Sequence, residues 1–98
     1  MRAQFDLKHG LAFRIRLELR GYETIMERLT PSQSTVLRAI ADDPHAKVFS
    51  IDFTSRVSMP ASSVRRVITR LVDDRLVYFR KDAYRFSNPF FREWIRRA

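Results

Sequence analysis

Ser62, Ser63, Arg65, Arg66, Thr69 and Arg70 bring hydroxyls and guanidiniums together within nine residues of this 98-residue chain. Small hydroxyls bond phosphate oxygens or base edges, and arginine neutralises phosphate or grips guanine with two parallel hydrogen bonds. Arg80, Lys81 and Arg85 form a second basic group shortly after. Other chemistry finds little support. With no cysteine, disulfides and thiolate metal sites are excluded. His9 and His45 lie far apart, without a paired nucleophile or carboxylate pattern, and Asp42-Asp43 and Asp73-Asp74 fall where helices are expected to end in solvent. HExxH, GxSxG and Gly-rich phosphate-loop patterns are all missing, and Gly10 and Gly21 are the only glycines. The inventory argues against an enzyme and calls for no cofactor and no metal.

The basic and hydroxyl groups act together only if an element holds them on one face. Over residues 61–74, Val64, Val67, Ile68 and Leu71 recur at i, i+3, i+4 and i+7, which predicts a helix with one buried side. The six polar residues then face away from the core. Residues 50–57 read as a shorter helix before it, with Ser58-Met59-Pro60 between the two. Residues 76–80 and 84–87 alternate around Lys81-Asp82-Ala83, which predicts a hairpin with a three-residue turn. Val77, Phe79, Tyr84 and Phe86 share the face expected to meet the core. Arg80 and Arg85 are expected to point outward, with Lys81 at the tip. The fold expected is mainly α with a small β-hairpin: a winged helix-turn-helix with an added N-terminal helix and a C-terminal helix. Residues 61–70 would enter a major groove, and the hairpin would lie along a phosphate backbone.

Charge agrees with this placement. Nineteen Lys and Arg against eleven Asp and Glu leave a net +8. Between Arg56 and Arg85, eight basic residues meet only Asp73, Asp74 and Asp82, so five of the eight net charges sit there. A basic balance favours a polyanionic partner, nucleic acid or an anionic membrane surface. The plainer explanation, a generic basic solubilising surface, predicts a more even spread. The hydrophobic fraction of 45% suits a single folded domain. Without a run of eighteen apolar residues or a signal-like amino terminus, a soluble cytoplasmic protein is expected.

The remaining segments frame that centre. Residues 13–20 alternate like a strand, yet Leu11, Ile15, Leu19, Tyr22, Met26 and Leu29 line one face of a helix spanning roughly 5–29. Phe13 and Leu17 fall on its other side, near Gly10 and Gly21, as a contact surface for a second protomer or a missing domain. This divides the chain into an N-terminal amphipathic helix, 1–29, and the winged helix-turn-helix with its C-terminal helix, 30–98. Thr30, Pro31 and Gln33 form a capping box, Val36, Leu37 and Ile40 a buried stripe, and Asp42-Asp43-Pro44 a stop. Val48-Phe49 reads as a short first strand, and Ser50 as a cap. Asn88-Pro89 opens a last helix with Phe90, Phe91, Trp94 and Ile95 on its apolar face, most simply packed against the N-terminal helix. Arg75 stands where a left-handed glycine often closes a helix, at a cost of about 1 kcal/mol.

Several of these blocks occur together in a known family. Leu29-Thr30-Pro31-Ser32-Gln33, residues 36–41, Ser62-Ser63-Val64 and residues 84–95 (YRFSNPFFREWI) resemble the carboxy-terminal winged-helix module of archaeal and bacterial regulatory P-loop ATPases. The resemblance covers roughly residues 22–97, and the closing segment is its most specific part. The opening LTPSQ…VLRAIA also occurs in MarR-type transcriptional regulators. The family's nucleotide-binding motifs have no counterpart here, so ATPase activity does not carry over. What the resemblance implies is a carboxy-terminal domain of a larger ATPase, or a stand-alone relative that keeps only this module.

Two functions follow as expectations. In the first, the chain binds double-stranded DNA through Ser62, Ser63, Arg65, Arg66, Thr69 and Arg70, with Arg80, Lys81 and Arg85 on the backbone. In the second, it is a protein-interaction or regulatory module that packs on a P-loop ATPase domain without touching DNA. Single-stranded RNA is disfavoured, because no aromatic platform on an exposed sheet is evident in the sequence.

Overall fold

The computed structural model describes residues 21–97. Residues 21–28 are helical (α1) and are followed by α2 (Pro31–Asp42), α3 (Ile51–Val57), α4 (Ala61–Asp73), β1 (Val77–Arg80), β2 (Ala83–Phe86) and α5 (Pro89–Arg97). The rest of the long helix expected over 5–29, with Phe13 and Leu17, lies outside the described residues.

Local chemistry sets the boundaries. The Thr30 hydroxyl accepts from the Gln33 backbone N–H at 3.1 Å, and the Thr30 N–H donates to Gln33 Oε1 at 3.0 Å, so the capping box is complete. Ser50 Oγ accepts from the Phe53 N–H at 3.2 Å and starts α3. Asn88 Oδ1 accepts from the N–H groups of Phe90 at 2.9 Å and Phe91 at 3.4 Å and starts α5. The two ends that lead into α4 and out of it are closed alike. Ser58 (φ 55°) and Arg75 (φ 62°) are both left-handed. Around them, the Ser58 and Met59 N–H groups donate to Ser55 and Thr54, and those of Arg75 and Leu76 to Val72 and Leu71. This is the Schellman pattern, for which glycine is the usual residue. Arg75→Gly is therefore expected to raise stability by about 0.5–1 kcal/mol by removing the Cβ clash of the left-handed backbone. A urea midpoint that fails to rise in that variant would contradict this.

The apolar stripe of α2 is the centre of the core. Val36, Leu37, Ile40 and Ala41 are buried, and α2 touches α3, α4, α5 and β2. Phe53 and Val57 from α3, and Val64, Ile68 and Leu71 from α4, close the same cluster, which makes the helical periodicity of 61–74 correct. Full burial of each such side chain contributes about 1.5–3 kcal/mol. On the other side, Tyr22 of α1 stacks on Phe91 (centroids 4.8 Å) and meets Trp94 at 5.8 Å. Asn88 Nδ2 donates to the Tyr22 hydroxyl oxygen at 3.0 Å, and Arg92 Nε donates to the Ala41 carbonyl at 3.0 Å, a group the end of α2 leaves unpaired.

Four sequence expectations need correction. Val48-Phe49 is a turn rather than a strand: the Ser50 N–H donates to the Lys47 carbonyl at 2.9 Å, and the sheet has two strands, β1 and β2. Confined between that turn and a helix cap, the pair is too short to form a ladder, and Val48 instead buries its side chain in the core. The hairpin turn holds two residues, because Ala83 joins β2 and pairs with Arg80. Lys81 (φ 52°) and Asp82 (φ 63°) are both left-handed, the signature of a type I′ turn matched to strand twist. Phe79 shares the face of Val77 but stays 59% exposed: Val77 and Phe86 at the hairpin base are in the core and Tyr84 packs partly against it, whereas Phe79 lies beyond its edge. Phe90 is 55% exposed, since the α5 stripe centres on Phe91 and Ile95 and turns Phe90 past its edge.

Candidate nucleic-acid interface

The polar face of α4 carries the side chains that the sequence singles out. Ser62, Arg65, Arg66, Thr69 and Arg70 are exposed, and Ser63 is half-buried. Their surroundings differ. Arg66 has no ion pair or hydrogen bond among the described residues. Arg70 Nε lies 3.4 Å from Asp74 Oδ2, an exposed i,i+4 pair that offsets part of its charge. Thr69 Oγ1 donates to the Arg65 carbonyl at 2.9 Å, so its hydrogen is used within the helix and only its lone pairs face outward. The Arg65 guanidinium stands 4.4 Å from the centroid of the Phe49 ring. Such a contact is worth about 0.5–1 kcal/mol at an exposed site, and it holds a long side chain in one direction.

Ser62, Arg65, Arg66, Thr69 and Arg70 line an open concavity of about 660 Å³ between α4 and the start of α2, with Thr30, Gln33 and Asp73 also in its lining. Asp73 is the one carboxylate among those residues. Thr30 and Gln33 are occupied with each other in the capping box, so they shape the border more than they bind across it.

The hairpin supplies the second basic group. Arg80 and Lys81 are exposed, Lys81 in the turn. Arg85 is half-buried and folds back along the sheet, where its Nε donates to the Arg80 carbonyl at 3.1 Å. Arg85 thus braces the hairpin as well as adding charge. The base of the hairpin is fixed to the helical core, because the Ser87 N–H donates to the Leu76 carbonyl at 3.0 Å.

Phe49 is the residue that sequence reasoning missed. It touches Arg65 of α4, and it also lines a groove shared with Phe79, Tyr84 and Asp82 of the hairpin. It therefore links the α4 face to the wing. Sixteen residues separate it from Arg65, and no periodic pattern joins them. The hairpin also exposes aromatic surface, with Phe79 and Tyr84 rings 4.9 Å apart, which corrects the expectation of a sheet without an aromatic platform.

Helices packed around α2, with a turn between α3 and α4 and a two-stranded antiparallel wing after α4, define a winged helix. Residues 20–97 match the family described as "Probable winged helix domain", and the chain belongs to that family. No curated protein and no solved structure gives a significant match. Among the described residues no helix is long and apolar enough to cross a membrane, and no group of three or more His, Cys, Asp or Glu is placed to hold a metal ion.

Proposed function

We propose that this winged helix is a double-stranded DNA-binding module of the cytoplasm, with no catalytic centre of its own. The observation that carries the reading is the outward face of α4, where Arg65 and Arg66 have no carboxylate partner among the described residues and adjoin Ser62 and Ser63. The helix enters the major groove with those side chains near bases or phosphates, and Arg80 and Lys81 meet the backbone beside it. One module of this size binds weakly and mainly through charge. Specific binding comes from a dimer or from the rest of a larger protein, and the resemblance of residues 84–95 to the ATPase module favours the second.

Fluorescence anisotropy of a labelled random-sequence duplex across several salt concentrations tests this. Three to five neutralised phosphates give a slope of log K against log salt of about −3 to −4.5. Absence of binding at low salt would remove the reading.

The regulatory alternative has one specific support. Phe90 is 55% exposed at the start of α5, a position suited to packing on a neighbouring nucleotide-binding domain rather than on DNA. Single exposed apolar residues are common on monomers, so this is the weaker case.

A further inference from the structure

The side of the hairpin that carries Phe79 overhangs residues 46–50, and the space between them is a groove of about 430 Å³. Its walls are Phe49, Phe79, Tyr84 and Val48, and Lys47 and Asp82 stand at its edges. A domain that buries Phe53, Phe86 and Phe91 leaves Phe79 59% exposed here, with its ring against Tyr84. Nothing in the packing of the core requires an aromatic at that position. The groove is also continuous with the face of α4 through Phe49, which Arg65 covers at 4.4 Å. The charged residues that line it are Lys47 and Asp82, and the Arg65 guanidinium reaches its Phe49 wall from the α4 side.

We propose that this groove receives one unpaired base of DNA, stacked among Phe49, Phe79 and Tyr84, so that the module favours a junction of duplex and single strand over a blunt duplex. The inference rests on the DNA-binding reading and specifies which DNA that site prefers. Aromatic faces accept any base, because every base offers a π-face, and nearby ammonium and guanidinium groups follow the phosphates on either side. The rings and the cations are adjacent here, whereas an apolar peptide segment would need the rings alone. Duplex held on α4 brings the first unpaired nucleotide to the wing, and Arg65 marks the boundary between the two surfaces.

The test compares a labelled blunt duplex with the same duplex bearing a three-nucleotide single-stranded tail, 2-aminopurine being the first unpaired base. Wild type is expected to bind the tailed DNA about 5- to 100-fold more tightly, with 2-aminopurine fluorescence quenched on saturation. Phe79→Ala is expected to abolish the preference and the quenching. Phe90→Ala, an exposed aromatic outside the groove lining, keeps both, which separates stacking from a general loss of apolar surface. Equal affinity for the two DNAs with unchanged fluorescence overturns the inference while leaving duplex binding standing, the result expected of a groove that takes a peptide. A preference that survives Phe79→Ala also overturns it. Failure to bind either DNA overturns this inference and the DNA-binding reading together.

Discussion

The double variant Arg65→Ala/Arg66→Ala is expected to bind random-sequence duplex on the order of sixtyfold more weakly than wild type at 0.1 M salt, and its log–log salt slope is expected to be shallower by about 1.8. Each phosphate contact contributes about 0.9 to that slope, so two lost contacts remove nearly two powers of ten between a 1 M reference and 0.1 M. Both side chains are exposed, and neither makes an ion pair among the described residues, so the loss is not a disguised unfolding. Removal of Arg65 also frees Phe49, a stability change of about 0.5–1 kcal/mol that leaves the domain folded. Anisotropy and a urea titration on the same sample distinguish the two effects. Unchanged affinity and slope would show that α4 does not carry the contact.

Phe91→Ala is expected to lower stability by about 3–5 kcal/mol, the usual cost of emptying a buried aromatic site. The ring is 2% exposed and touches Tyr22, Trp94 and the edge of Phe86, so one side chain joins α1, α5 and the hairpin. A domain of this size has about 5–15 kcal/mol in total, and at roughly 4–8 °C per kcal/mol its Tm falls by well over ten degrees. The neighbouring Phe90, at 55% exposure, is the natural control. A loss below about 1 kcal/mol at Phe91 would mean that α1 and α5 contribute little to the fold.

Helix content was legible where one signal dominated. The 3.6-residue stripe in α4, the Thr30 capping box and the Asn88-Pro89 start all act within a turn or two of chain, and each appears where the sequence places it. The errors came from quantities that depend on distant neighbours. Alternation in residues 76–87 placed Phe79 and Tyr84 on one face, which the register bears out, but alternation cannot tell how far along a strand the core extends. Val48-Phe49 has β-propensity, but among the described residues no partner strand lies beside it. At the interface, the outward set on α4 follows from periodicity alone. The Asp74 partner of Arg70 is also local, four residues along the helix. Phe49 was invisible because its role depends on a ring meeting a guanidinium across the helix-turn-helix, a contact no spacing encodes.

The paired Schellman closures at Ser58 and Arg75 have a consequence for recognition. Both joints, the one that delivers α4 and the one that launches the wing, are hydrogen-bonded and carry side chains where a glycine would swivel. An arm fixed in this way has little orientational freedom left to surrender on association, so each contact it makes is felt in the dissociation constant with little deducted for ordering. If the proposed DNA-binding reading holds, a duplex would meet a surface already set to its working angle.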